Sequence, residues 1–340
     1  MYSFMNDYSE GAHPRILELL YKSNYEQNIG YGLDVHSEKS REYIRKLIGR
    51  QKADIHFIPG GTLTNLTVIS ALLRPHQCVI SADTGHINVH EAGAVEATGH
   101  KVVIAASKEG KLYPEAIEAV LKYHSDEHMV LPKMVYISNS TELGTIYSKD
   151  ELTRIHNVCK EKGLILFLDG ARIGNALMSK YNDLTFKDIA NLVDVFYIGG
   201  TKNGALLGEA LVVCNDNLKE DLRYLIKQKG ALMAKGFVMG IQFEALFQDD
   251  LYFRLAKHAN KMAEIITGAL TELGYSFYVP PCTNQLFPVV PNHVLEFLAQ
   301  KFDFYIYKKI DQDSSVIRLV TSWATTQESV DRLIEALPKI

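Results

Sequence analysis

Short apolar runs alternate with helical stretches through the middle of the chain. Asp54 to Ile58 reads as a strand and leads into the turn Gly60-Gly61-Thr62, after which Leu63 to Leu73 is helical in character. Gln77 to Ser81 is a second strand, followed by an expected helix from about His86 to Gly99. Lys101 to Ala105 and Lys133 to Ser138 are strand-like, with helical stretches over Tyr113 to His124 and Lys149 to Lys162. Leu164 to Asp169, Val193 to Gly199 and Ala210 to Cys214 complete the set of strands.

These strands are continuous apolar runs. Leu164-Ile165-Leu166-Phe167-Leu168 has no polar side to show to water. Such runs mark strands buried on both faces, as in a mostly parallel central sheet covered by helices. The repeated strand–helix units therefore predict an α/β layered domain. Ligands gather at the carboxyl ends of the strands in such sheets, and the Gly60-Gly61-Thr62 turn, Asp169 and Lys202 all fall just after strands.

From about Asp250 the texture changes. A long helical stretch runs from Asp250 to Leu273, followed by Tyr275 to Val279, a Pro280-Pro281 break, and Asn284 to Val290. A helix, two further strands (Phe304 to Lys308 and Val316 to Thr321) and a closing helix end the chain. The expected organisation is an arm over residues 1–30 packed near the smaller domain, a large α/β domain over 31–249, and a smaller α+β C-terminal domain over 250–340.

Composition narrows the class. The chain has 340 residues, 47% of them hydrophobic, enough for a large core and a smaller one. The formal net charge is -4 with no block of like charge, so neither a nucleic-acid nor an anionic membrane surface is indicated. The longest apolar stretches are strand-length, and the first residues lack a basic start followed by an apolar run. The four cysteines are scattered, which fits a reducing compartment and excludes a zinc-ribbon pattern. These features predict a cytoplasmic protein.

Lys202 sits in Gly199-Gly200-Thr201-Lys202-Asn203-Gly204, directly after a buried strand. Glycines let backbone approach a bulky ligand, and a lysine held in a crevice has its amine pKa lowered, which favours Schiff-base chemistry. A surface lysine in a turn is the plain alternative. Asp169 ends an apolar strand, where a carboxylate needs a partner; a pyridinium nitrogen is one, and a helix cap or a pair with Arg172 is another. Gly61 and Thr62 open a helix, whose free N–H groups and positive end suit a phosphate. The turn is neither a Walker loop nor a dinucleotide fingerprint. His86 and His90 stand four residues apart, but the metal-helix pattern needs a histidine where Ala94 stands. No metal site is expected, and one imidazole of the pair stacked on a flat ring is the better reading.

In order, these signals are a phosphate turn, a histidine, a strand-end aspartate and a strand-end lysine. With Ile58-Pro59-Gly60-Gly61-Thr62-Leu63-Thr64-Asn65, Leu168-Asp169-Gly170-Ala171-Arg172, Gly200-Thr201-Lys202 and Arg318-Leu319-Val320-Thr321, they resemble the low-specificity L-threonine aldolases of the β-eliminating lyase group. The resemblance covers nearly the whole chain and implies the fold-type-I architecture of the pyridoxal-phosphate enzymes. It implies that Lys202 carries pyridoxal 5'-phosphate, that Asp169 binds the ring nitrogen, and that Arg172 lies near the phenolic oxygen. Gly61 and Thr62 would hold the phosphate, His86 would stack on the ring, and Arg318 would clamp the substrate carboxylate. Tyr31 matches a tyrosine near the family's site.

The chain also departs from the family's pattern. Thr141 stands about where the family often has a histidine, and Lys235 lies in a stretch where the family has an arginine. Asn6-Asp7 stands where the family usually has Ser-Asp near the substrate carboxylate. The activity implied is cleavage of threonine-like β-hydroxy amino acids to glycine and an aldehyde, in a homodimer or homotetramer with shared sites. His86, Glu91 or a bound water is left to take the hydroxyl proton. β-Elimination and transamination on the same cage are the alternatives, and a binding module without turnover would have no need of Arg318.

Overall fold

A computed structural model describes residues 1–339. In chain order the elements are β1 (Tyr2–Ser3), α1 (Pro14–Lys22), α2 (Val35–Ile48), β2 (Asp54–Ile58), α3 (Gly61–Leu72), β3 (Gln77–Ala82), α4 (His86–Val89), β4 (Val102–Ala105), α5 (Pro114–Tyr123) and β5 (Leu131–Ser138). Next come α6 (Lys149–Lys162), β6 (Ile165–Asp169), α7 (Ile173–Leu177), α8 (Phe186–Leu192), β7 (Val195–Gly199), β8 (Glu209–Val213), α9 (Leu222–Gln228), α10 (Phe237–Phe247) and α11 (Leu251–Glu272). The C-terminal part holds β9 (Gln285–Leu286), β10 (Val289–Pro291), α12 (Asn292–Leu298), β11 (Phe302–Asp303), β12 (Tyr305–Lys309), β13 (Ser314–Val320) and α13 (Gln327–Ala336).

The central sheet has seven strands in the order β2-β8-β7-β6-β5-β3-β4. Neighbours from β7 through β4 pair in parallel, and β8 alone runs against its two neighbours. Apolar clusters cover both faces, one around Ile55, Ile80, Leu166 and Val212, the other around Val79, Met134, Phe167 and Leu211. Alternate residues of single strands thus feed opposite cores, which is why the runs have no polar side. Six carboxyl ends, those of β2 to β7, fall on one edge of the sheet. Reversal brings the amino end of β8 to that same edge, with Glu209 in register between Ile58 and Gly199.

The expected helix from His86 to Gly99 does not form. α4 stops at Val89, and Ala92 (φ +50°) and Gly93 (φ +73°) take left-handed backbone. A helix cannot pass through two such residues, and the turn carries Glu91 back toward His86. Tyr275 to Val279 forms only an isolated bridge, Phe277 to Pro288, because a proline cannot donate to a ladder.

Residues 1–30 divide between the two parts of the molecule. β1 pairs in parallel with β11, and Phe4, fully buried, belongs to the C-terminal core with Ile266, Phe302, Leu319 and Val330. Its backbone accepts from Val320 N (2.8 Å) and donates to Asp303 O (2.8 Å). Ile16 of α1 instead joins the core of the large sheet. α1 escapes a pattern reading because Ile16 is its one buried residue. α11 serves both cores: Leu251, Tyr252 and Leu255 pack toward the large sheet, Met262, Ile266 and Leu270 toward the C-terminal one. Phe4→Ala is expected to lower stability by roughly 3–5 kcal/mol; a chemical unfolding midpoint equal to that of the wild type would contradict this role for the arm.

Candidate active site

Asp169 closes β6 with a buried carboxylate. Its Oδ1 accepts from the Tyr197 hydroxyl (2.5 Å) and the Ala171 N–H (2.9 Å). Its Oδ2 accepts from the Tyr136 hydroxyl (2.5 Å) and the Asn65 amide (3.1 Å). Burial opposes ionisation, but the neighbouring His86, both phenols and the Ala171 N–H together hold the carboxyl below its usual range. The phenols are pushed far the other way, by burial first and then by Asp169, so they keep their protons and act as donors.

Gly170 and Gly199 let the ends of β6 and β7 meet. A Cβ on Gly170 would lie 1.8 Å from Tyr197 O, and one on Gly199 would lie 2.3 Å from Ala171 O. The chain then loops through Lys202. That amine feels the charges of Arg172, Asp7, Asp169 and Glu209. Burial depresses it most, Arg172 works in the same sense, and the three carboxylates oppose them. Among the described residues no carboxylate lies within ion-pair distance of Lys202. Lys202 thus lies within reach of the Asp169 charge.

His86 begins α4. Its Nδ1 faces Glu91 Oε1 (2.7 Å), and its backbone N–H donates to Glu142 Oε1 (3.0 Å). A carboxylate only accepts, so Nδ1 carries a proton, and in the neutral ring Nε2 is left as an acceptor. The Glu91 side chain is fully buried and also receives the Asn65 amide (2.7 Å). Asn65 therefore bridges Glu91 and Asp169. Glu142 also accepts from the Ser138 hydroxyl (2.6 Å). Burial pushes its carboxyl up; the Ser138 bond works against that, and Asp169 adds to it. Thr141 is buried, and its hydroxyl is bonded to Thr145 (2.7 Å).

Gly60 caps α3 without a side-chain bond, and nothing stands within 4 Å of where its Cβ would lie. The first turn, with Gly61 and Thr62, is partly exposed. On the opposite wall, Arg318 on β13 lies over the Tyr305 ring (4.9 Å) and donates from Nη2 to Met5 O (3.0 Å). Its Nε is buried without a partner, and no carboxylate pairs with it among the described residues. A buried guanidinium with an unused donor is a site for an anionic group.

Asn6 turns away from this crevice: its side chain accepts from Tyr8 N (2.9 Å) and Ser9 Oγ (3.0 Å). Asp7, its neighbour, points in instead. It is fully buried and takes a forked bond from Arg172 (2.6 and 2.9 Å) plus the Asn284 amide (2.9 Å). Burial opposes its charge, yet Arg172, Lys202 and Asn284 hold it below the usual carboxylate range. Tyr31 and Lys235 belong to a different neighbourhood. Tyr31 N donates to Ala234 O (3.0 Å), Lys227 lies over the Tyr31 ring (4.5 Å), and Lys235 is exposed. Neither makes a hydrogen bond or ion pair with a residue of the crevice.

The sequence pattern assigns no role of their own to Asn65, Tyr136, Tyr197 and Glu209. Glu209 carried a usable signal, a carboxylate at one end of an apolar strand, the same signal that singled out Asp169. The two tyrosines read as apolar strand residues until the sheet aligns β5, β6 and β7.

A flat anionic cofactor fits these residues: an uncapped helix start, a depressed lysine and, within reach of it, a buried ionised carboxylate. The sequence model of the family described as beta-eliminating lyase matches residues 15–292. A low specificity L-threonine aldolase from a Pseudomonas species is 33% identical over 337 residues, covering 97% of this chain and 95% of that protein. A solved structure of Leishmania major threonine aldolase is 51% identical, with a TM-score of 0.97 and 98% of each chain covered. A Thermus thermophilus aspartate aminotransferase, at 13% identity and a TM-score of 0.74 over 99% of this chain and 90% of its own, shares the fold alone. Fold, crevice and these likenesses agree, and the chain belongs to the beta-eliminating lyase family.

Proposed function

We propose that this protein is a pyridoxal 5'-phosphate-dependent aldehyde-lyase. It cleaves the Cα–Cβ bond of L-threonine, L-allo-threonine and similar β-hydroxy amino acids, giving glycine and an aldehyde. The reading is carried by Lys202 lying within the field of Asp169 and by Arg318, which keeps a buried guanidinium nitrogen without a partner. The likeness to threonine aldolases over nearly the whole chain supports the choice of substrate.

Lys202 is the residue to hold the cofactor, and the α3 start with Gly61 and Thr62 is the place for its phosphate. Bound there, the cofactor supplies an electron-withdrawing ring next to the substrate's Cα. Asp169 keeps a positive ring nitrogen favourable. The Asn65 contact is the longest of its four hydrogen bonds and can pass wholly to Glu91, which frees a place for that nitrogen. Arg172, steadied by Asp7, sets a second positive charge beside the ring.

Arg318 would bind the substrate carboxylate and so set the orientation of the substrate's Cα. His86 is the group to take the β-hydroxyl proton, since Glu91 holds its Nδ1 and leaves Nε2 as acceptor. Glu91 itself is fully buried, and the Thr141 hydroxyl is already engaged. Tyr31 and Lys235 fit a part in a second copy's site, so a homodimer or homotetramer belongs to the proposal. A cytoplasmic location accords with the cysteines, all free among the described residues. No helix there is long and apolar enough to cross a membrane.

Lys202→Ala is expected to abolish the visible absorbance of the cofactor-loaded protein and to cut aldehyde release from L-threonine by roughly 10³-fold or more. A yellow, fully active variant rules the scheme out. Arg318→Ala is expected to raise KM for L-threonine by roughly 10- to 100-fold, read in the same aldehyde assay; a change confined to kcat would remove the clamp from the scheme.

A further inference from the structure

Glu209 stands where the direction of β8 puts it. Had β8 run parallel to its neighbours, its first residue would lie at the opposite edge of the sheet. Running antiparallel, it sets a buried carboxylate in register with Gly199 on one side and Ile58 on the other. One neighbour leads into Lys202 and the other into the α3 turn.

Both oxygens of Glu209 are committed to the lysine loop. Oε2 accepts from Gly200 N (3.0 Å), and Oε1 accepts from the Thr201 hydroxyl (2.8 Å). The Thr201 oxygen in turn accepts from Gly208 N (3.1 Å), and Gly208 O receives the N–H groups of Gly200 (3.0 Å) and Thr201 (3.2 Å). The two residues immediately before Lys202 are therefore pinned by one carboxylate. A neutral hydrogen-bonding side chain would serve if only the loop needed closing. A buried carboxylate is a costly choice unless its charge is used.

The charge has an evident target. The Lys202 amine is depressed by burial and then by the charge of Arg172, and is raised by Asp7, Asp169 and, last in order, Glu209. Asp7 is spent on Arg172, and Asp169 is satisfied by four donors. Glu209 makes no ion pair among the described residues. We propose that Glu209 is a positioning residue for Lys202, which fixes its loop through Gly200 and Thr201 and supplies the counter-charge for the lysine nitrogen. Burial pushes Glu209 itself up to about 7, against the pull of Thr201 and Lys202, so each group favours the charged form of the other.

The inference rests on the proposed role of Lys202 as the cofactor-bearing lysine. It is tested by titrating the absorbance of the pyridoxal 5'-phosphate-loaded protein with pH, in the wild type and in Glu209→Gln. Removing the negative charge disfavours the protonated nitrogen, so the transition is expected to move to lower pH by about one unit, a tenfold change in proton affinity. Glu209→Asp draws the charge back by one methylene and is expected to shift the transition in the same direction by less. It carries the test alone if Glu209→Gln does not fold. Soluble variants that titrate within about 0.2 unit of the wild type overturn the proposal, since a packing role lowers the unfolding temperature and leaves this midpoint alone. A wild type with no band dependent on Lys202 overturns the proposed function, and this inference with it.

Discussion

Asp169 lies at the end of a strand with no polar side, and its ionisation there sets the terms for everything around it. Taking a carboxylate out of water costs several kcal/mol in a real protein interior. Each hydrogen bond to a charged acceptor returns roughly 1.5–3 kcal/mol, so the four donors outweigh the penalty, in keeping with a carboxyl held below its usual range. Two of the donors are phenols from the flanking strands β5 and β7, one is the chain's own turn at Ala171, and one is Asn65 from the first turns of α3. Four separate segments are thereby registered on one charge. The same charge favours the lysine's protonated form and lifts Glu142.

The crevice is also a seam between two cores. The arm enters the C-terminal core at Phe4, reaches Arg172 with Asp7, and donates from His13 N to Gly204 O in the lysine loop (2.8 Å). It then joins the large core at Ile16. Met5 O receives Arg318, so the same segment touches both the cationic clamp and the carboxylate pair opposite it. α11 couples the two cores from the other side. Hydrophobic burial within each core is non-directional; the polar contacts of the arm are what fix the two parts in one orientation.

Thr141 and Glu142 lie at the point where the chain departs from the family's pattern. Thr141 is tied to Thr145 inside the protein, while Glu142 reaches the backbone of His86 and the hydroxyl of Ser138. The loop after β5 thus supports His86 from behind instead of offering an imidazole of its own. Glu91 does the same from the other side of the ring. Both carboxylates act through His86, whose ring is the group left partly open to the crevice.

The sequence alone determined the strands of the central sheet, because a strand buried on both faces must be apolar throughout and cannot be mistaken for an amphipathic one. It also singled out Lys202 and Asp169, since a charge at the end of an apolar run needs a reason to be there; Arg318, inside β13, is marked only by the family resemblance. It could not decide which strands neighbour one another, so Tyr136 and Tyr197 stayed hidden as core residues. Nor could it foresee that β8 reverses and carries Glu209 to the functional edge. Asn6 and Asp7 are adjacent in the chain, and only the path of the arm across the seam chose between them. Alternation and charge are properties of one segment and are written locally; pairing, direction and the meeting of the arm with Arg172 are relations between distant segments, fixed only when the cores close.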